Sequence, residues 1–158
     1  MFRKVIWATD GSAHADRAMD TAVQVAQDDG AELHVVHIVE KLLSGRASGM
    51  DAYADEDMIK AKVEQQAEAI AGEVGIDAST HLSVGVSGRI GDRIAEIAQD
   101  VGADLIVVGT RGHGAIGSMV LGGVTQRLLR VSPCPVLAVP SRASVQAAEP
   151  TEPAVTAG

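Results

Sequence analysis

The chain reads as an α/β protein: an open, doubly wound five-stranded parallel sheet with helices on both faces. Short apolar runs at residues 5–8, 33–39, 105–108 and 136–139 alternate with segments carrying apolar residues at helical spacing. Apart from two histidines in the second, these runs lack the polar alternation of a half-exposed strand, as expected when both faces of a sheet are covered. Glycines 30, 75 and 102 fall just past the helical segments, where a C-cap residue belongs. Alternating strands and helices of this kind imply right-handed crossovers and parallel pairing.

Taken in order, Val5-Ile-Trp-Ala8 is the first strand and Asp10-Gly-Ser12 supplies turn chemistry. Ser12 is placed to cap a helix over residues 13–27, with Ala18, Ala22, Val25 and Ala26 on one face. Residues 33–39 form the second strand. Residues 42–57, rich in Gly, Ser and Ala, read as a loop. Ile59, Val63, Ala67, Ile70 and Val74 then mark a helix over residues 56–74. Residues 79–86 alternate polar and apolar, as an edge strand does. Ile90, Ile94 and Ile97 define a helix over 90–101, and the strand at 105–108 follows. After a last helix carrying Val124, Leu128 and Val131, the fifth strand, 136–139, is bracketed by Pro133, Pro135 and Pro140, which suits an edge. From Ser141 onward Ala, Glu, Pro, Thr and Ser dominate without periodicity, so the expected organisation is one domain, 1–140, and a disordered tail, 141–158.

Composition narrows the function. With 158 residues one domain is expected, and with 2% aromatic content the core must be aliphatic. A net charge of −8 argues against nucleic acid or an anionic membrane as the main partner, since both select a basic face. No apolar run approaches the roughly 20 residues of a membrane span. The start of the chain lacks the apolar core and cleavage site of a secretory leader, and the single cysteine, Cys134, leaves no internal disulfide. A cytoplasmic location is the expectation.

The most informative stretch runs from Gly109 to Thr125, with six glycines in the fifteen positions 109–123. It lies between an apolar strand and a helix, an arrangement that offers bare backbone amides and the positive end of a helix dipole to an anion such as phosphate. Gly112, Gly114 and Gly117 match the dinucleotide fingerprint, but that motif belongs in the first strand–helix turn. It also needs an acidic residue about 20 positions on, and none occurs between Asp104 and Glu149. Gly117 and Gly122 match the frame of a phosphate-binding P-loop, but Gly123-Val124 stand where Lys and Ser/Thr are required, and no lysine follows Lys62. Arg111 and Arg127 are the nearby cations that could take part of that lysine's role.

A third frame fits: Gly109, two residues, Gly112, nine residues, Gly122, preceded by Ala8-Thr-Asp-Gly-Ser12. With residues 33–37, the run Gly-Ala-Asp-Leu-Ile-Val-Val-Gly109 and Ser-Pro-Cys-Pro-Val136, it resembles the ATP-binding branch of the universal stress protein family over residues 3–140. That resemblance implies strand order 3-2-1-4-5, a homodimer joined through the last strands, and ATP, with Mg2+ as counter-ion, as ligand. It further implies that Asp10 contacts the adenosine end beside Ala8 and Thr9, and that Ile38 meets adenine through its backbone. Val108 and Gly109 would border the nucleoside, and Gly112 would let the chain approach the phosphates. Gly122 and Val124 would present amides to them. Gly123 replaces the family's Ser or Thr, so Thr125 or Ser118 would have to supply the missing hydroxyl; a lost neutral hydrogen bond is worth about 1 kcal/mol.

The functional expectation is a regulatory protein that senses or retains an adenine nucleotide and switches partner or conformation. A slow ATP hydrolase, or a binder of another adenine nucleotide such as cyclic AMP, is the alternative. No residue has the arrangement needed to activate water. A receiver-type signalling domain would need an aspartate after the third strand and a lysine after the fifth, where Val84-Gly-Val86 and Val139-Pro140 stand. His113 faces either phosphate or solvent. His34 and His37 read as packed polar strand residues rather than metal ligands, and Cys134 as a buried structural residue. Glu64, Glu68 and Glu73 read as a solvated helix face, and Met50 and Met58 as loop or interface filler.

Overall fold

The computed structural model describes residues 1–12, 15–41, 50–110 and 121–140. Strands β1 (Lys4–Thr9), β2 (Glu32–Lys41), β3 (Ala78–Val86), β4 (Leu105–Gly109) and β5 (Val136–Val139) form one parallel sheet in the order β3-β2-β1-β4-β5. Helices α1 (Asp16–Asp29), α2 (Met50–Ala69), α3 (Ile90–Val101) and α4 (Gly123–Val131) connect them. No helix among the described residues is long and apolar enough to cross a membrane.

Side-chain alternation on the central strands builds two separate cores. Val5 and Trp7 of β1, Leu33 and Val35 of β2, and Leu105 and Val107 of β4 face α1 and α2. Ile6 and Ala8, Val36 and Ile38, and Ile106 and Val108 face α3 and α4. Every second residue must therefore be apolar on both faces, which is why these strands read as continuous apolar runs. The single tryptophan, Trp7, is 0% exposed. On the helix opposite it, Ala18, Ala22 and Ala26 recur every fourth residue, so α1 presents a flat stripe and lies close enough to fill the space around the indole. The indole Nε1 is buried with no hydrogen-bond partner, a cost of about 1–3 kcal/mol accepted to fill this core. At the strands' N-terminal ends the Asp104 carboxylate accepts the amides of Arg3 and Lys4, tying the starts of β1 and β4 together.

Two boundaries differ from the sequence reading. Ser12 does not cap α1: its hydroxyl donates to Asp10 Oδ1 at 2.6 Å, and the helix starts at Asp16 after a turn closed by the Ala15 amide on the Ser12 carbonyl. The expected loop at 42–57 gives way to helix from Met50. Residues 50–57 lack apolar periodicity and so looked like loop. Alanines and four acidic residues in the first turns of a helix nonetheless favour that conformation by propensity and by the dipole. Beyond Ala69 the helix widens into a π-helical turn, Ile70–Val74, before Gly75 ends it. Gly30, Gly75 and Gly102 all take the left-handed conformation at helix ends, as expected. The expected tail, 141–158, and residues 42–49 lie outside the described residues.

Ala22→Leu adds volume where α1 meets the sheet. It should lower unfolding free energy by about 1–3 kcal/mol, measured in urea by far-ultraviolet circular dichroism.

Candidate functional site

In the strand order 3-2-1-4-5, the chain leaves β1 toward β2 on one side and reaches β4 on the other. Connections therefore diverge above the C-terminal ends of β1 and β4, and a crevice opens there. It holds about 520 Å³ including its open mouth, and is lined by Ala8, Thr9, Asp10, Ala15, Ile38, Ile90, Ile94, Val108, Gly109, Val124 and Thr125. Its walls are mainly aliphatic. Asp10 is the one charged residue among these lining residues.

The turn after β1 is held in detail. The Gly11 amide donates to Thr9 Oγ1 at 3.1 Å, and Asp10 Oδ1 accepts both the amide and the hydroxyl of Ser12. His37 Nδ1 lies 3.0 Å from the Thr9 carbonyl. A carbonyl only accepts, so His37 carries a proton on Nδ1 and steadies the end of β1. From α2, Lys62 Nζ donates to the Gly11 carbonyl at 2.9 Å, while Ile59 packs over the same residue. Gly11 takes φ +75°, and a Cβ there would sit 2.7 Å from Ile59 Cγ2. Only glycine satisfies both conditions.

On the opposite side α4 begins. Gly122 is its N-cap, with its own carbonyl accepting from Gln126. The first-turn amides of Gly123, Val124 and Thr125 have no intrahelical acceptor, no acidic residue occupies that turn, and the dipole's positive end is left uncompensated. Such a helix end accepts anions. The α3–α4 contact that sets this wall is tight: a Cβ on Gly91 would lie 2.8 Å from Arg127 Cβ and 3.1 Å from the Val124 carbonyl. Arg127 and Asp92 clamp the same contact at 2.6 Å. The guanidinium beside Asp92 holds that carboxyl below the usual carboxylate range, and Asp92 in turn raises Arg127.

Of the twelve residues singled out in the sequence, Ala8, Thr9, Asp10, Ile38, Val108, Gly109, Val124 and Thr125 line this one crevice. Gly122 and Gly123 stand at the α4 N-terminus beside it, and Arg111 and Gly112 lie outside the described residues, as do His113 and Ser118. Three expected roles change. The Gly122 amide donates to the Thr110 carbonyl at 2.9 Å, so it is not offered to a ligand. The Thr125 hydroxyl, 2% exposed as a residue, donates to the Gly109 carbonyl and does not replace the missing family hydroxyl. Arg127 is turned to Asp92 rather than toward the crevice. Ala15, Ile90 and Ile94 were not anticipated; the four-residue spacing of the two isoleucines marked an apolar face, but not that its first turn would wall a crevice.

Other side chains sort plainly. No group of three His, Cys, Asp or Glu among the described residues is placed to hold a metal. Glu64, Glu68 and Glu73 are exposed on α2 and the turn after it, and Met58 is exposed on α2 rather than in a loop. Cys134 is half-buried rather than buried, and its surroundings push the thiol above its ordinary range, mainly by desolvation.

The sequence pattern of the universal stress protein family matches residues 1–140. The chain is 39% identical over 139 residues to a universal stress protein of Thermus aquaticus, covering 88% of this chain and 99% of that one. In fold it resembles the universal stress protein UspA from Lactobacillus plantarum, with a TM-score of 0.73 at 22% identity over 87% of this chain and 97% of that one. A universal stress protein crystallised in complex with cAMP aligns with a TM-score of 0.66 at 30% identity, over 87% and 97% of the two chains. The chain belongs to the universal stress protein family.

Gly11→Ala should cost about 1–3 kcal/mol in urea unfolding through backbone strain and the Ile59 contact. In a double-mutant cycle, Gly11→Ala should cost less in an Ile59→Ala background than in the parent, the difference being the steric share, while the φ penalty remains.

Proposed function

We propose that this universal stress protein binds an adenine nucleotide in the crevice above β1 and β4 and serves as a nucleotide-responsive regulator rather than an enzyme. The observation that carries the reading is the polarity of the crevice. Asp10 stands on one side, aliphatic walls lie between, and helix N-terminal amides without an intrahelical acceptor stand on the other. A carboxylate accepts hydrogen bonds and repels phosphate, so Asp10 suits a ribose hydroxyl or an amine, and the phosphate belongs at α4. Ile38, Ile90 and Ile94 provide the apolar surface on which a base stacks. The relative crystallised with cAMP supports this class of ligand.

ATP with Mg2+ is the ligand that the family resemblance favours. Magnesium would travel on the phosphates, since Asp10 is the only carboxylate lining the crevice among the described residues. With Arg127, the Gly122 amide and the Thr125 hydroxyl committed elsewhere, the amides of residues 123–125 are the described donors at the start of α4. The relative crystallised with cAMP supports cyclic AMP as the second reading.

Titration calorimetry of nucleotide-free protein with ATP–Mg2+, AMP and cyclic AMP should show saturable binding of at least one, at about one per chain. Asp10→Ala should weaken it at least about tenfold, the loss of a hydrogen bond to a charged acceptor. Flat titrations with all three would defeat the proposal.

We further propose a homodimer through β5. This edge strand is short, with its Leu137 39% exposed, and Leu129 of α4 is 54% exposed. Pairing with a second copy satisfies the free edge and covers both leucines. Light scattering should report a dimer, and Leu129→Glu with Leu137→Glu a monomer.

A further inference from the structure

Away from the crevice, a compact group of titratable side chains lies near the start of β2 and β3. His34 Nδ1 is 2.9 Å from His81 Nε2, and Ser79 Oγ lies 2.9 Å from the first nitrogen and 3.4 Å from the second. The two rings sit with centroids 5.2 Å apart. His34 is 8% exposed, and its other nitrogen, Nε2, is buried without a hydrogen-bond partner, 3.5 Å from Glu32 Oε2. Lys4 of β1 lies 3.6 Å from that same oxygen. From α3, Arg93 pairs with Glu96 and donates to Ser83, two residues further along β3. The contact joins β2 to β3, and β3 is an edge strand paired only to β2.

Two imidazole nitrogens 2.9 Å apart are bonded by one hydrogen, one ring donating and the other accepting. If both rings were protonated on both nitrogens, two N–H groups and two positive charges would face each other in a largely desolvated place. Ser79 Oγ offers lone pairs to one N–H but neutralises neither charge. We propose that His34 and His81 form an acid-released latch, which ties edge strand β3 to β2 while one of the two facing nitrogens is unprotonated and lets β3 loosen when both rings become cations. β3 runs toward α3, whose Ile90 and Ile94 wall the crevice, so the latch lies one element away from that site.

The electrostatics agree with the geometry. Burial is the largest influence on both histidines and lowers both below their ordinary value. For His34, the neighbouring His81 and Lys4 push the same way, and Glu32 opposes them. Below the ordinary imidazole value of about 6.5, the unfolded chain takes up protons that the folded chain refuses. Stability is therefore complete above that pH and is lost as pH falls toward the lowered folded values, by about tenfold in the folding constant per pH unit for each refused proton. A metal suits the pair less well. Two ligands on one zinc at 2.0–2.1 Å stand about 3.3 Å apart, and no third side chain completes a set among the described residues.

Imidazole NMR titration of the intact protein tests the latch. His34 and His81 should titrate as a coupled pair, both below the ordinary value, and amide exchange (corrected for its intrinsic pH dependence) should rise at the start of β3 but not in β1 or β4. In His81→Gln, which keeps a donor beside His34 Nδ1, the His34 titration should move up toward the ordinary value. The pH dependence of unfolding should flatten by about tenfold per pH unit. Independent titration of both rings near 6.5 would overturn the proposal. So would an unchanged His34 titration in the variant, or stoichiometric zinc binding that abolishes the pair's titration.

Discussion

The parallel pairing of β1 with β4 is the constraint on which the rest of this molecule depends. These two strands lie at the middle of the sheet, with Val5, Ile6, Trp7, Leu105, Ile106 and Val107 almost wholly withdrawn from water. A strand buried on both faces needs a helical layer on each, and the alternation of its side chains assigns α1 and α2 to one core and α3 and α4 to the other. The same topology places the connection leaving β1, α1, and the connection leaving β4, α4, on opposite faces of the sheet. A crevice above the C-terminal ends of β1 and β4 follows from that topology before any particular side chain is considered.

What the crevice can hold depends on how its polar groups are occupied. The turn at Thr9–Ser12 is braced from three directions: by its own hydrogen bonds, by His37 of β2 and by Ile59 and Lys62 of α2. That bracing keeps a carboxylate at a set place beside aliphatic walls. On the α4 side the arrangement is sparser. Among the described residues, the cation and the hydroxyl near the helix start serve the protein's own structure: Arg127 fastens α4 to α3, and Thr125 fastens it to the end of β4. The anion-attracting features among the described residues there are main-chain dipoles at the start of α4.

The strands, the helix C-caps and most of the crevice were legible in the sequence, because each left a local mark. Continuous apolar runs signal strands buried on both sides, and Gly30, Gly75 and Gly102 signal left-handed caps after the first three helical segments. Asp10 and Gly109 follow strands and so had to emerge at the same edge of the sheet. The helical start at Met50 left no such mark, since Ala and acidic residues favour a helix by propensity but show no apolar periodicity to announce it. Nor did Ile90 and Ile94 announce a site; as sequence they are one apolar helix face, and only the placement of α3 against β2 turns them into walls.

From sequence alone came the fold class, the order of elements and the residue types gathered around Asp10 and the glycine-rich segment, because hydrophobic period, turn chemistry and caps are properties of neighbours along the chain. Tertiary structure alone decided who bonds to whom across it. The Gly122 amide meets Thr110, the Thr125 hydroxyl meets Gly109, Arg127 meets Asp92, and His34 meets His81 across two strands. Those pairings join groups up to 47 residues apart. A polar group's partner is set by distance in space and by the cost of leaving it unpaired away from water, and neither quantity is written in local order.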